Sequence, residues 1–398
     1  MTTILQICTS QSWGGMEMHV SYLSQHLANR GHRILPLCTP GSPLDNDFKK
    51  RGFAPHHFSL GGYFHPRAIL KLLQLLRTER VEIVHAHYSR DLWTIVPALA
   101  RRDLSRIALV LTKHIGTQKP KRDLLHRLIY RRVNYLIAIS EVIRANLLAT
   151  HPVAAEKVGV VHHGVDLEEF SPERHNREAV RAELGWPDEL VFGIVGRLQI
   201  SKGYLEFLEM ARRIRQAVPR ARFLLIGEAS RGEEAEARHI LQKIDVLDLH
   251  SVTQWLGFRK DVARLLSAMD IFVFPSHAEA FGLVLIEAMA MGKAVISSNC
   301  DGVLDIVKHG ETGLLVPPKE IEALTQAGLA LAENPALRNK LAWAGRQHVR
   351  AAFSLPGMLA NIELIYNKLT HTNGMIMAGA VQAAENASRE CAPEAPCQ

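Results

Sequence analysis

Short runs of Ile, Val and Leu alternate along this chain with longer stretches in which apolar residues recur every three or four positions. The first pattern predicts strands and the second amphipathic helices. In the first half the strands are expected at 3–8, 33–38, 82–87, 108–113, 134–139 and 158–162. Helical periodicity falls near 15–30, 66–79, 90–101, 121–132 and 140–149. Strand–helix alternation of this kind predicts a parallel sheet with right-handed helical crossovers. Strands apolar at nearly every position fit a sheet covered on both faces.

The second half repeats the theme. Strands are expected at 190–195, 223–226, 252–256, 271–274 and 294–297, with helices at 202–218, 261–269 and 282–291. The helix at 202–218 places apolar residues at 204, 207, 208, 211, 214 and 218 and stops at Pro219. Gly292 stands where a left-handed residue would end the helix before it. Residues 336–369 predict two helices broken at Phe353-Ser354-Leu355-Pro356, and the Ala-, Glu- and Pro-rich tail at 371–398 is expected to be disordered. The fold class is therefore α/β, with two facing Rossmann-like doubly wound domains. The first spans 1–165 and the second 166–352, joined near residues 163–187. A ligand is expected in the cleft, beyond the carboxyl ends of the strands.

Composition narrows the picture. At 398 residues there is room for two cores. No apolar run reaches the length of a membrane span, and the first residues lack the basic segment that opens a signal peptide. Five scattered cysteines (Cys8, Cys38, Cys300, Cys391, Cys397) show no zinc spacing, and a reducing cytoplasm suits them. The net charge of +7 is uneven: residues 1–170 hold 22 Lys and Arg against 13 Asp and Glu. A basic half suits an anionic membrane surface, an acidic substrate or nucleic acid. No aromatic-interleaved basic motif supports nucleic acid.

The chemistry concentrates between residues 196 and 287. Gly196-Arg197 follows a strand, and Lys202-Gly203 opens the next helix, so both cations lie on one loop at a sheet's carboxyl edge, free to converge on a phosphate. Downstream comes Glu279-Ala280-Phe281-Gly282, then Glu287 on the following helix. Arg with its planar fork and Lys with its compact charge can neutralise a pyrophosphate, as a divalent ion otherwise would. Amides at the start of the 282–291 helix can bind phosphate oxygens. Glu287 can accept both hydroxyls of a ribose diol, and its apolar flanks predict burial, so a ligand or cationic partner is expected for it.

The spacing Gly-Arg-x4-Lys-Gly, followed by Glu-x7-Glu enclosing Phe-Gly, resembles the retaining glycosyltransferase family numbered four, whose fold is GT-B. Further stretches match: Gly14-Gly15-Met16-Glu17, Val84-His85-Ala86-His87, His163-Gly164-Val165-Asp166 and Gly310-x2-Gly313-Leu314-Leu315-Val316-Pro317. The resemblance covers roughly residues 1–369. It implies that Arg197, Lys202 and the Gly15 amide hold the donor diphosphate, and that Glu287 binds the ribose. It assigns Glu279 and the backbone at Phe281, Gly282 and Leu283 to the donor sugar, and His114 to the transferred sugar. The base is placed near Gly257-Phe258-Arg259, while His87 and Glu17 fall on the acceptor side. Residues 353–369 resemble a terminal helix that crosses back to complete the first domain. Two departures stand out: Gly227-Glu228-Ala229 replaces a Gly-x-Gly, and Asp305 in Asp301-Gly302-Val303-Leu304-Asp305 replaces a longer carboxylate. The resemblance further implies retention of anomeric configuration, no metal and no cofactor, and a glycan or glycolipid acceptor of the cell envelope.

Three points remain open on sequence. His85 and His87 are read as facing opposite sides of one strand, and no third metal ligand is apparent, so no metal site is expected. The basic stretch 119–132 either packs Leu124, Leu125, Leu128 and Ile129 on the sheet, or approaches anionic lipid from the cytoplasmic side. The rival functions are a sugar-nucleotide epimerase and a non-catalytic nucleotide-sugar binder.

Overall fold

The computed structural model describes residues 1–58, 65–230 and 232–371. The tail expectation beyond His371, with Cys391 and Cys397, lies outside the described residues. The chain divides into two compact units: residues 1–138, 144–161 and 359 onward form the first, and 139–143 with 162–358 the second.

The first unit holds β1 (Thr3–Cys8), β2 (Arg33–Cys38), β3 (His56–His57), β4 (Ile83–Ala86), β5 (Ala108–Lys113), β6 (Tyr135–Ala138) and β7 (Val158–Val160). They form one sheet in the order β3-β2-β1-β4-β5-β6-β7, with every pairing parallel. The second unit holds β8 (Leu190–Val195), β9 (Ala221–Ile226), β10 (Thr253–Trp255), β11 (Ile271–Phe274), β12 (Ala294–Ser298) and β13 (Leu314–Val316), in the order β10-β9-β8-β11-β12-β13. These pairings are parallel too. In both sheets the strand order reverses next to the first strand, between β1 and β4 and between β8 and β11. In a doubly wound sheet the carboxyl edge at such a reversal is where a ligand is expected.

Burial explains the sequence pattern. Ile4, Leu5 and Ile7 of β1 are fully buried, as are Ile83 and Val84 of β4. In the second unit Phe192, Phe207, Phe223, Tyr204 and Ile240 meet in a single core. The helix Tyr204–Ala217 turns Phe207, Leu208, Ala211 and Ile214 inward, the spacing of one helical face.

Several elements carried too weak a signal to be expected. The helix Pro43–Lys50 is mostly polar, but Ser42 Oγ accepts from Asp45 N at 3.2 Å and Pro43 fits the first turn. The helices Arg177–Glu183, Glu234–Val246 and Ile321–Glu333, and the short strands β3 and β13, were likewise unassigned. Glu234–Val246 buries only Ala237, Ile240 and Ile244. The break near residue 353 is real: Val165 N donates to Phe353 O at 2.8 Å, and Leu355 N donates to Val165 O at 3.0 Å. The chain is then helical over 355–371. Within the first unit that last helix brings Tyr366 against His85 and Glu363 against Arg30 and His32.

The helix Leu124–Arg132 corrects one expectation. Only Ile129 and Tyr130 are buried. Leu124, Leu125 and Leu128 are 72%, 58% and 55% exposed, so this row does not pack on the sheet.

Candidate active site

The loop after β8 carries Arg197 and ends in a single 3-10 turn, Ile200–Lys202. Gly203 follows at φ +78, and an added Cβ there would strike Pro275 O. The β8 and β11 loops therefore touch through backbone, and His277 N donates to Ser201 O at 2.9 Å. Across this contact Lys202 Nζ lies 2.5 Å from Glu279 Oε2. Both side chains are largely shielded, 21% and 17% exposed, which strengthens their attraction. A third loop, after β12, fixes the backbone of Glu279: Asp301 Oδ2 accepts from Glu279 N at 3.1 Å, and Gly302 N donates to Glu279 O at 2.9 Å. The Tyr204 hydroxyl, buried under the first loop, donates to Gly196 O at 2.7 Å.

Arg197 is on the same loop, half exposed, but its Nη1 donates to Glu233 Oε1 at 3.0 Å. Gln199 Nε2 reaches the same oxygen at 3.1 Å. The two loop cations, expected to be free, are thus each held by a carboxylate: Arg197 by Glu233 and Lys202 by Glu279.

Gly282 at φ +109 leads into the helix Leu283–Ala290. Leu285 N and Ile286 N already donate to Gly282 O at 3.0 and 3.4 Å, so an anion is suited to the amides ahead of them at this helix start. Phe281 is buried against His162, His163 and Phe353, so its side chain anchors the loop. One turn into the helix, Glu287 is half-buried, and its carboxyl is pushed up to about 7 by desolvation, with Glu169 adding to the rise. Among the described residues no ion pair or side-chain hydrogen bond is found for Glu287. Phe258, expected near the base, is 59% exposed, and the neighbouring Arg259 is paired with Asp261 at 2.7–2.8 Å.

Comparison with known proteins shows the family and the fold. Residues 13–169 match the model described as Glycosyltransferase Family 4, and residues 176–348 match Glycosyl transferases group 1. The chain belongs to glycosyltransferase family 4. It is 26% identical over 382 residues to a glycogen synthase of Mycobacterium tuberculosis, covering 85% of this chain and 87% of that one. A glycosyltransferase from Rickettsia africae superposes with a TM-score of 0.83 at 23% identity, over 92% of this chain and 98% of the other. Anabaena HepE, solved with UDP and glucose, superposes with a TM-score of 0.78 at 22% identity, over 92% and 100%. The fold of the transferase is GT-B.

In the first unit of the transferase, Gly15 opens the helix Gly15–Asn29. Glu17 is buried in that helix's first turn, where free amides favour a negative charge. His87 and His114 follow β4 and β5 directly, and both are buried. His85 and His87 are two residues apart on adjacent same-side positions, contrary to the expectation that they oppose one another, since strand side chains repeat every second residue. Their rings lie 4.1 Å apart. His87 Nδ1 lies 3.4 Å from His114 Nε2, and His19 from the first helix joins them, its ring 5.1 Å from that of His114. The expectation that no third ligand accompanies this pair is also corrected: His19, His87 and His114 bring ring nitrogens within 4.8 Å of one another. Burial lowers His85 to about 3 and His19 well below its usual value. A second group, Cys38, Asp45 and His57, suits a metal less well. Lys49 Nζ already sits 2.8 Å from Asp45, and burial pushes the Cys38 thiol up to about 12.

Glu233, Asp301 and Tyr204 support the loops but escaped sequence reasoning, because none is adjacent in sequence to what it holds. Asp91 is similar: buried, it accepts from Thr9 N at 3.1 Å and from the Thr9 hydroxyl, fixing the end of β1. Asp305, which stands where the resemblance has a longer carboxylate, accepts from Glu141 N at 2.8 Å and pairs with His162 at 2.9 Å.

Proposed function

We propose that this chain transfers a sugar, with retention of configuration, from a nucleotide-diphosphate sugar to a hydroxyl of a cell-envelope glycan or glycolipid. The observation that carries the reading is the Lys202–Glu279 pair at 2.5 Å, joining two loops at the point where the strand order reverses. A cation for the leaving phosphate and a carboxylate for the sugar then stand side by side. HepE, a neighbour in fold, binds UDP and glucose, which supports a nucleotide-sugar donor here.

In the reaction the bond from the anomeric carbon to the phosphate oxygen breaks, and the acceptor oxygen bonds to that carbon on the same face. The acceptor proton passes to the departing phosphate. Lys202 and Arg197 stabilise the charge growing on the nucleoside diphosphate, work that needs no divalent ion. Glu279 orients the sugar. Glu287 accepts the ribose hydroxyls, and the amides at Phe281, Gly282 and Leu283 hold donor oxygens. In the first unit we assign the Gly15 amide to the diphosphate, His114 to a hydroxyl of the transferred sugar, and His87 and Glu17 to the acceptor.

An acceptor at a membrane suits the helix Leu124–Arg132. Its exposed Leu124, Leu125 and Leu128 lie beside exposed Arg127 and Arg131, a surface matched to anionic lipid. No helix among the described residues is long and apolar enough to cross a membrane.

The test is mass spectrometry of a panel of nucleotide sugars incubated with and without a sugar-lipid extract. Acceptor-dependent release of nucleoside diphosphate is expected. Isomerised donor without an acceptor would mark an epimerase, and no turnover of any donor a binding protein; either overturns the proposal.

A further inference from the structure

The three histidines of the first unit converge because of the sheet order. β1, β4 and β5 are neighbours, so the helix after β1, the residue after β4 and the residue after β5 emerge together. His19, His87 and His114 occupy these places. Their ring centroids form a nearly equilateral triangle, with sides of 5.1, 5.7 and 5.8 Å.

We infer that His19, His87 and His114 form a binding site for a divalent transition-metal ion of the zinc class, held by three imidazole nitrogens with a fourth position open. The spacing supports this. Two nitrogens bound tetrahedrally to zinc at about 2.0–2.1 Å stand roughly 3.3–3.4 Å apart. His87 Nδ1 and His114 Nε2 are 3.4 Å apart, long for a hydrogen bond but right for that edge; the His19 nitrogen lies within 4.8 Å of both and closes the other two edges by a ring rotation on binding.

Outer contacts supply a second argument. His87 Nε2 donates to Gln6 Oε1 at 2.8 Å, which leaves the Nδ1 lone pair directed at His114. A metal-bound imidazole is commonly oriented this way, by a carbonyl acceptor on its other nitrogen. His85 stacks close to His87 but spends both nitrogens elsewhere, on Tyr366 at 2.6 Å and Thr112 at 2.7 Å. It limits rotation of His87 without being a ligand. His19 is only half-buried, so an ion has a way in.

Three imidazoles select zinc, cobalt, nickel or copper over magnesium or calcium, which prefer oxygen. Occupancy would engage His87 and His114, and on the proposed function it would lower transfer. That consequence rests on the proposed roles; binding itself does not.

The experiment uses the full chain without a polyhistidine tag, titrated with Co²⁺ and followed by its visible d–d absorption. One saturable ion per chain is expected, with no response to Mg²⁺. X-ray absorption of the Zn²⁺-loaded wild type should give three imidazole nitrogens at about 2.0 Å. His19→Ala and His114→Ala should each weaken Co²⁺ binding at least about tenfold, and Gln6→Leu by roughly 10–100-fold. His250→Ala, at an exposed histidine of the second unit, should leave binding unchanged. An ion surrounded by water oxygens in the wild type, or equal affinity in His19→Ala and His114→Ala chains that melt normally, would overturn the site whether or not transfer is ever observed.

Discussion

Glu287→Gln separates the demands of ligand binding from those of stability. In the unliganded chain the Glu287 carboxyl is raised from 4.5 to about 7 because burial disfavours its charge. The folded chain therefore keeps a proton between pH 4.5 and about 7 that the unfolded chain has released. Stability falls as pH rises through that window and levels off above it. At 1.36 kcal/mol per unit, the full shift corresponds to roughly 3 kcal/mol; partial solvent access reduces the expectation to about 1–3 kcal/mol. Glutamine has no charge to desolvate, so the variant should match the wild type near pH 4 and exceed it by that amount at pH 8. Comparing the two chains cancels other titrations in the window, such as that of Asp91, also raised to about 7 by burial. Nucleotide-sugar affinity should move the other way. Losing a charge-assisted hydrogen bond worth about 1.5–3 kcal/mol weakens binding roughly ten- to a hundredfold at pH 8. Chemical denaturation at pH 4 and pH 8, with calorimetric titration of the donor, reads both quantities. A variant less stable than wild type at pH 8 would mean that Glu287 has a structural cation, and would refute the reasoning.

The same geometry yields other expectations. Gly203→Ala forces a side chain at φ +78 against Pro275 O and should cost at least about 1–3 kcal/mol in denaturant melts; unchanged stability would contradict the close loop contact. Tyr204→Phe removes a buried hydroxyl that donates to Gly196 O. A loss of about 1–2 kcal/mol is expected in the same assay, and none would mean that water replaces it. Leu125→Glu with Leu128→Glu should abolish sedimentation with anionic vesicles at low salt while leaving the melting temperature unchanged. Equal sedimentation of wild type with neutral and anionic vesicles would remove the membrane surface.

The fold was largely legible because both sheets are buried on two faces, which makes their strands continuous Ile, Val and Leu runs. Elements with little to bury were not. The helix Glu234–Val246 turns three residues inward, and β3 is two residues long. In the candidate site, Arg197, Lys202, Glu279 and Glu287 stood out by their spacing along the chain: the two cations lie between a strand end and a helix start, Glu279 in the loop after β11, and Glu287 one turn into the next helix. What holds them was not: Glu233 is 36 residues from Arg197, and Asp301 is 22 from Glu279. The histidine triangle was hidden for the same reason, because it needs the strand order that places β4 between β1 and β5. The pairing of His85 with His87 was readable from the two-residue repeat of a strand, and was misread. For Leu124, Leu125 and Leu128 the sequence left two alternatives, and exposure removes packing on the sheet as one of them.

The central claim is that side-chain cations stabilise the departing nucleoside diphosphate. It is tested most directly by the turnover of Lys202→Ala with saturating donor and acceptor. Removing one such preorganised contact should lower kcat by about 10²–10³. A kcat within about twofold of wild type would show that Lys202 does not act on the leaving group and would contradict the account.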